Sequence, residues 1–146
     1  MKKIFAFLAF ASVALFGLQS CDKDDQAVDP NKLPTTAQTF INTHFADATV
    51  SSVVKEYDDL TYHYEVYLSD GTHLEFKKNG EWKSVENRTS GVPKSVIPTK
   101  ILDYIATNYS DCFVIDIERD RQYDVELNND LDLDFNLDGD FIRIDR

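Results

Sequence analysis

Oxygen-bearing side chains recur at every second position near the end of the chain, which is the spacing of one face of a β-strand. They are Asp124, Glu126, Asp132, Asp134, Asn136 and Asp138. Carboxylate and amide oxygens are the ligands that Ca²⁺ takes in proteins. One hypothesis from this spacing is therefore a calcium site on the strand face, formed by Asp132, Asp134, Asn136 and Asp138.

The segment from Asp134 to Gly139 also matches the opening of an EF-hand loop, and Asp145 stands at its twelfth position. An EF-hand, however, requires flanking helices and normally ends on a bidentate glutamate. The stretch from Glu75 to Gly80 has the same turn spacing without these ligands. A hairpin turn and the strand period therefore explain the pattern, and calcium remains the alternative hypothesis.

A second set of polar side chains lies on alternating positions earlier in the chain. This set is His63, Glu65, Tyr67, His73, Glu75 and Lys77. Amphipathic side chains of this kind favour recognition of another protein. Together with Asp124, Glu126, Asp132 and Asp134 they form the predicted binding face, for which a merely solvated acidic surface is the alternative.

Catalysis is not predicted. The sequence contains no Gly-x-Ser-x-Gly, His-Glu-x-x-His or phosphate-binding loop, and the acid pairs are expected on exposed strands without a cleft. Cys112 corresponds to Ala48 in the repeat described next and is predicted to be a small buried residue. No cofactor is expected apart from the possible Ca²⁺.

The elements that position these side chains come from an internal repeat. The stretch from Leu33 to Phe45 returns as Ile97 to Tyr109, and the stretch from Tyr64 to Trp82 returns as Tyr123 to Phe141. Apolar spacings of three and four predict a helix at the start of each copy, and alternation predicts four strands after it. The sequence thus predicts an α+β fold of two tandem units, at residues 33–91 and 92–146.

Turn residues predict the strand register. A three-residue loop with Gly71 in the left-handed conformation aligns Val66 with Leu74, and Asp130 can replace the glycine in the second copy. Like charges then oppose one another in three predicted pairs: Glu65 with Glu75, Asp124 with Asp134, and Glu126 with Asp132. The apolar face of each sheet is expected to meet the helix, and the other face stays open.

The first twenty residues resemble a bacterial export signal. Residues 1–20 have two lysines followed by a short apolar run, and Leu18-Gln19-Ser20-Cys21 resembles a bacterial lipobox. Cys21 is therefore predicted to carry lipid, followed by a flexible tether over residues 21–32. The cluster Asp22-Lys23-Asp24-Asp25 behind Cys21 resembles the export signal of surface lipoproteins in bacteroidete-type bacteria, for which a generic acidic linker is the alternative. It predicts an outer-membrane lipoprotein that is surface-exposed or otherwise faces the periplasm.

Charge limits the partners further. The chain has 15 Lys and Arg against 26 Asp and Glu, and the export signal contains two of the lysines and none of the acids. Nucleic acid is excluded as a partner, because phosphate binding needs clustered Lys and Arg. Contact with a membrane is expected only through the lipid anchor.

The repeated pattern Leu-Pro, Phe-Ile, Tyr-x-Val-x-Leu and Gly-x-Trp behind a lipobox resembles the PepSY-like proteins of bacteroidete-type bacteria, which are related in fold to the β-lactamase inhibitor protein. The resemblance covers roughly Leu33 to Arg146. It implies two helix-covered antiparallel sheets side by side, whose open face binds or inhibits an unknown protein. A lipid-anchored, non-catalytic binding module is the predicted function, and a calcium-responsive or structural envelope protein is the alternative.

Overall fold

The computed structural model describes residues 25–58 and 60–145. These residues form two helices and nine strands, together with a short 3₁₀ helix at Pro30–Lys32. In chain order the elements are β1 Gln26–Ala27, α1 Thr35–His44, β2 Val50–Asp58, β3 Thr61–Leu68, β4 His73–Lys77, β5 Trp82–Glu86, α2 Thr99–Asn108, β6 Val114–Arg119, β7 Tyr123–Leu127, β8 Asp132–Phe135 and β9 Phe141–Asp145.

All nine strands belong to one antiparallel sheet, in which each strand pairs with its neighbours in the chain. The α+β class is therefore confirmed, whereas the expectation of two sheets side by side is wrong. β5 pairs with β6, and Val85 stands opposite Ile117 at this junction. Both side chains are fully buried, so the pairing extends one apolar row across the sheet instead of leaving two exposed edges.

Both helices cover the same face of the sheet. Phe40 of α1 packs edge-on against Phe76 and stacks on Trp82, while Tyr104 of α2 packs edge-on against Phe135. The inward strand positions join these residues in one hydrophobic core. Neither described helix has the length and apolar character needed to cross a bilayer.

The hairpin registers agree with the predictions. Val66 stands opposite Leu74, and Val125 stands opposite Leu133. The two loops turn through residues with positive φ, Gly71 at 85° and Asp130 at 60°. An aspartate tolerates this left-handed conformation better than most other residues, which is why the second hairpin keeps the register without a glycine.

Register shifts interrupt the sheet at four places. One lies between Val50 and Ser52 in β2 and another between Val114 and Asp116 in β6. The other two shifts accompany the pairing of β4 with β5 and of β8 with β9. A bulge of this kind inserts one residue into a strand and re-aims the side chains beside it.

The stretch before the first helix differs from the predicted tether. Gln26 and Ala27 pair with the edge of β2, and Val28 donates a backbone hydrogen bond to the Val53 carbonyl at 2.9 Å. Asp29 then caps the 3₁₀ helix by accepting from the Asn31 backbone N–H. The exposed edge of β2 supplies backbone partners to residues 26–28, and residues 29–32 bond among themselves in the 3₁₀ helix. Cys21 lies outside the described residues.

Candidate functional site

The face of the sheet opposite the helices is called the open face here. The hairpin registers place all ten residues of the predicted binding face on it. Glu65 stands opposite Glu75, Asp124 opposite Asp134, and Glu126 opposite Asp132, as predicted. The expectation that these acids are all exposed is wrong for four of them: Glu65, Glu75 and Glu126 are half-buried, and the side chain of Asp134 is only 3% exposed.

One end of the open face carries a cluster of Glu56, His63, Glu65, Tyr67 and His73, called the histidine cluster. Glu65 lies at its centre: one oxygen lies 3.3 Å from His63 Nε2, and the other accepts from Tyr67 Oη and from His73 Nε2. The rings of Tyr67 and His73 stack, with 4.5 Å between their centroids. The contacts around Glu65 therefore hold side chains from two strands in fixed positions.

The other end of the open face contains a small acidic pocket of about 150 Å³. Its lining is Asp116, Glu118, Asp124, Val125, Glu126, Asp132, Asp134 and Asp145. The sequence predicted no cleft next to the acid pairs, and this pocket corrects that prediction. It forms because β6, β7, β8 and β9 present acidic side chains to the same face at aligned register positions.

Three cations partly offset this charge. Arg88 binds both oxygens of Glu126, at 2.9 and 2.8 Å, and Lys83 Nζ lies 2.7 Å from Glu75 and 3.8 Å from Glu118. Arg143 Nε lies 2.7 Å from Asp134 Oδ2, although the two groups do not meet in hydrogen-bond geometry. Sequence reasoning did not assign these three residues, because their partners lie on other strands.

Two aspartates in the acidic pocket resist ionisation. Burial raises the pKa of Asp116 to about 6, with further contributions from the charges of Glu86, Glu126 and Glu118. The pKa of Asp132 is also raised, first by burial and then by Glu126 and Asp145. Burial is the first cause of both shifts, and the charges of the neighbouring acids add to it, so an added cation would relieve the repulsive part.

The pKa of Glu65 shifts in the opposite direction. Burial alone would raise its pKa, but hydrogen bonds from His73, His63 and Tyr67 together with the charge of His73 lower it. The carboxylate is therefore the preferred form of this side chain in the folded protein.

Comparison with known proteins identifies the family of this chain. Residues 62–143 match the family model described as "Putative beta-lactamase-inhibitor-like, PepSY-like". The chain belongs to the PepSY-like family. No curated protein matches its sequence.

Two solved structures are similar to this PepSY-like protein over most of its length. A "putative calcium-regulated periplasmic protein" from Bacteroides thetaiotaomicron is 39% identical, with a TM-score of 0.80 over 84% of this chain and 97% of the other. A "putative periplasmic protein" from Bacteroides vulgatus is 41% identical, with a TM-score of 0.79 over 86% and 99% of the two chains.

The four residues predicted as calcium ligands are only partly brought together. Asp132 and Asp134 line the acidic pocket, whereas Asn136 and Asp138 lie in the turn between β8 and β9. The side-chain oxygen of Asn136 accepts from the backbone N–H groups of Asp138 and Asp140. Strand β9 follows this turn directly, so the segment is a hairpin and lacks the helices of an EF-hand.

A larger cleft of about 740 Å³ lies elsewhere, between α2 and the segment that joins β5 to it. Cys112 is among its lining residues and is half-buried against the core, with its thiol outside any disulfide in the described part of the chain. His44, His63 and His73 belong to the other half of the PepSY-like fold. The cleft therefore shows no base paired with the thiol among its lining residues.

Proposed function

We propose that this PepSY-like protein is a non-catalytic cell-envelope module that recognises another protein through the open face. The observation that carries the proposal is the asymmetry of the sheet: both helices pack on one face, and the opposite face presents charged and aromatic groups. Tyr67, at 43% exposure, is the largest aromatic surface on that face among the residues of the predicted site. The β-lactamase-inhibitor-like description of the family supports the same class of function.

The acidic half of the open face suggests a partner with a basic surface. Asp124 is exposed, and it is one of the seven acids that line the acidic pocket. Complementary charge accelerates and orients the docking of two proteins. A basic patch on the partner would relieve the repulsion between the acids that oppose one another on neighbouring strands.

Capture from envelope extract tests this proposal. Asp124→Lys and Tyr67→Ser are expected to abolish recovery of the partner, because each alters an exposed side chain of the open face. Asp103→Lys is the matched control, since it makes the same charge reversal on the exposed surface of α2. Equal recovery by wild type, Asp124→Lys and Tyr67→Ser would remove the open face from the proposal.

We further propose that the protein is an exported lipoprotein anchored through Cys21 in the outer membrane, exposed at the surface or facing the periplasm. The lipobox-like sequence and the periplasmic description of the two similar structures support this location. Cys21→Ala is expected to move the protein from the membrane fraction to the soluble fraction. Continued membrane association of this variant would contradict lipidation at Cys21.

Two similar halves also support the duplication inferred from the sequence. The register shift after Val50 recurs after Val114, which is its counterpart in the sequence repeat. The shift after Glu75 recurs after Asp134, which is again the matching position of the second copy. We therefore propose that residues 33–91 and 92–146 are copies of one unit that share a continuous sheet.

The acidic pocket favours a second candidate function, a calcium-responsive envelope protein. The similar protein from Bacteroides thetaiotaomicron is described as calcium-regulated, and this pocket offers several carboxylates to a cation. Calorimetric titration with CaCl₂ is expected to give heat and a higher melting temperature, both reduced in Asp132→Asn and unchanged in Asp103→Asn. Absence of heat and of a melting shift in the wild type would exclude this function.

A further inference from the structure

We infer that the histidine cluster is a zinc-binding site, with Glu56, His63 and Glu65 as ligands and His73 as a positioning residue. This inference goes beyond protein recognition and needs no partner. One ligand atom from each of Glu56, His63 and Glu65 lies within 4.8 Å of the other two. Among the described residues, this is the one group of three metal-ligating side chains that meets this distance.

The spacing of these atoms suits a tetrahedral ion. Zinc bonds to His nitrogen and carboxylate oxygen at about 2.0–2.2 Å, which places neighbouring ligand atoms about 3.4 Å apart in a tetrahedron. His63 Nε2 lies 3.3 Å from Glu65 Oε1 and 3.7 Å from Glu56 Oε2. The oxygens of Glu56 and Glu65 lie within 4.8 Å of one another, so this third pair must close by at most about 1.4 Å for one ion to bind all three side chains.

The chemistry of the ligands also selects zinc over calcium. Calcium takes oxygen ligands, six to eight of them, whereas an imidazole nitrogen suits zinc and the neighbouring transition metals. The carboxylates of Glu56 and Glu65 supply two negative charges, which balance one divalent cation. The side chain of Glu56 is 45% exposed and gives the ion a path from solvent, while those of His63 and Glu65 are mostly buried.

His73 acts on the site through Glu65. Its Nε2 contacts the Glu65 oxygen that does not face His63, and its ring stacks on Tyr67. An outer partner of this kind fixes the orientation of a ligand, and its loss usually weakens metal binding about 10–100-fold. His73 is therefore expected to tune the affinity of the site without contacting the ion.

The second half of the protein provides an internal control. In the repeat that matches Tyr64 with Tyr123, the positions of His63, Glu65 and His73 correspond to Gln122, Asp124 and Asp132. These residues offer oxygen and amide groups but no imidazole. The inferred zinc site therefore belongs to the first half alone, and His63→Gln introduces the residue type that the second half already has at this position.

Calorimetric titration of the purified protein with ZnCl₂ tests the inference. The wild type is expected to bind one zinc ion per chain and to melt at a higher temperature with zinc, because the ion binds the folded state. His63→Gln should weaken binding by more than about 100-fold, and His73→Gln by about 10–100-fold. Asp103→Asn, on the exposed surface of α2 and outside the open face, should bind zinc as the wild type does.

Folding controls and a spectroscopic measurement complete the test. Each variant is first compared with the wild type by circular dichroism and by metal-free melting, and Glu56→Gln removes the most exposed ligand if His63→Gln does not fold. Co²⁺ in place of zinc should give the visible absorption of a tetrahedral nitrogen and oxygen site. No zinc binding by the wild type, or wild-type affinity in folded His63→Gln and Glu56→Gln, would overturn the inference.

Discussion

At the scale of single residues, the open face contains acids with opposite electrostatic environments. Glu65 receives hydrogen bonds from two histidines and a tyrosine, which favour its charged form. Asp116 is half-buried among other acids, which favours its neutral form. The same residue class therefore stabilises the fold at one end of the face and opposes folding at the other end, depending on the partners that neighbouring strands provide.

Asp116 makes stability depend on pH in a predictable direction. Its pKa of about 6 in the folded protein lies above the ordinary value of 3.8, so the folded protein binds this proton more tightly than the unfolded chain does. The free energy of unfolding therefore falls as the pH rises from about 4 to above 6. Two pKa units correspond to about 3 kcal/mol, which solvent screening reduces to roughly 1–2 kcal/mol.

The test is Asp116→Asn, measured by urea unfolding. At pH 7.5 the variant should be more stable than the wild type by roughly 1–2 kcal/mol, and the difference should disappear near pH 4. Asp103→Asn, on the exposed surface of α2, is the control and should change little at either pH. An Asp116→Asn variant that is no more stable than the wild type at pH 7.5 would show that the ionised Asp116 carboxylate does not destabilise the folded protein.

At the scale of secondary-structure elements, two turn glycines share a conformation but not an environment. Gly71 and Gly80 both have φ of 85°. A Cβ atom added at Gly71 would meet nothing within 4 Å, whereas one added at Gly80 would lie 2.7 Å from Pro34 Cβ and 3.1 Å from the Ala37 backbone nitrogen. Gly80 is therefore the point at which the hairpin of β4 and β5 touches the start of α1.

Alanine at these two positions separates turn strain from packing. Gly71→Ala should cost about 1–2 kcal/mol, because alanine disfavours the left-handed conformation. Gly80→Ala should cost about 1–3 kcal/mol more, because the added methyl also pushes the hairpin away from α1. Chemical denaturation measures both. Equal losses of unfolding free energy in the two variants would mean that α1 does not pack tightly against the turn at Gly80.

These local elements were accessible from the sequence, and the long-range ones were not. Alternating apolar residues and the turns at Gly71 and Asp130 define the register of the two hairpins. This register determines which acids stand opposite one another, so those pairs could be predicted. The pairing of β5 with β6 joins segments separated by α2, and no local pattern encodes it. The cations Lys83 and Arg88 reach acids on neighbouring strands, and Glu56 meets His63 because β2 runs alongside β3 as far as Asp58.

At the scale of the whole molecule, the β5–β6 junction joins the two halves in one sheet, and we expect them to unfold as one cooperative body. Val66, Leu74 and Val85 in the first half continue into Ile117, Val125 and Leu133 in the second as one row of buried side chains. The indole of Trp82 lies close to the Tyr123 ring across this boundary, with 6.4 Å between centroids. Loss of packing in one half should therefore destabilise the other half as well.

Leu133→Ala tests this coupling, because Trp82 is the single tryptophan and lies in the other half. Leu133 is fully buried, so the substitution should cost about 2–5 kcal/mol. In urea, tryptophan fluorescence and far-ultraviolet circular dichroism should report one shared transition that moves to lower denaturant by the same amount. Ile142→Ala, a change at a 49% exposed position on edge strand β9, is the control and should shift it little. A Trp82 transition that stays in place while the dichroism splits into two steps would show instead that the halves unfold independently, despite their common sheet.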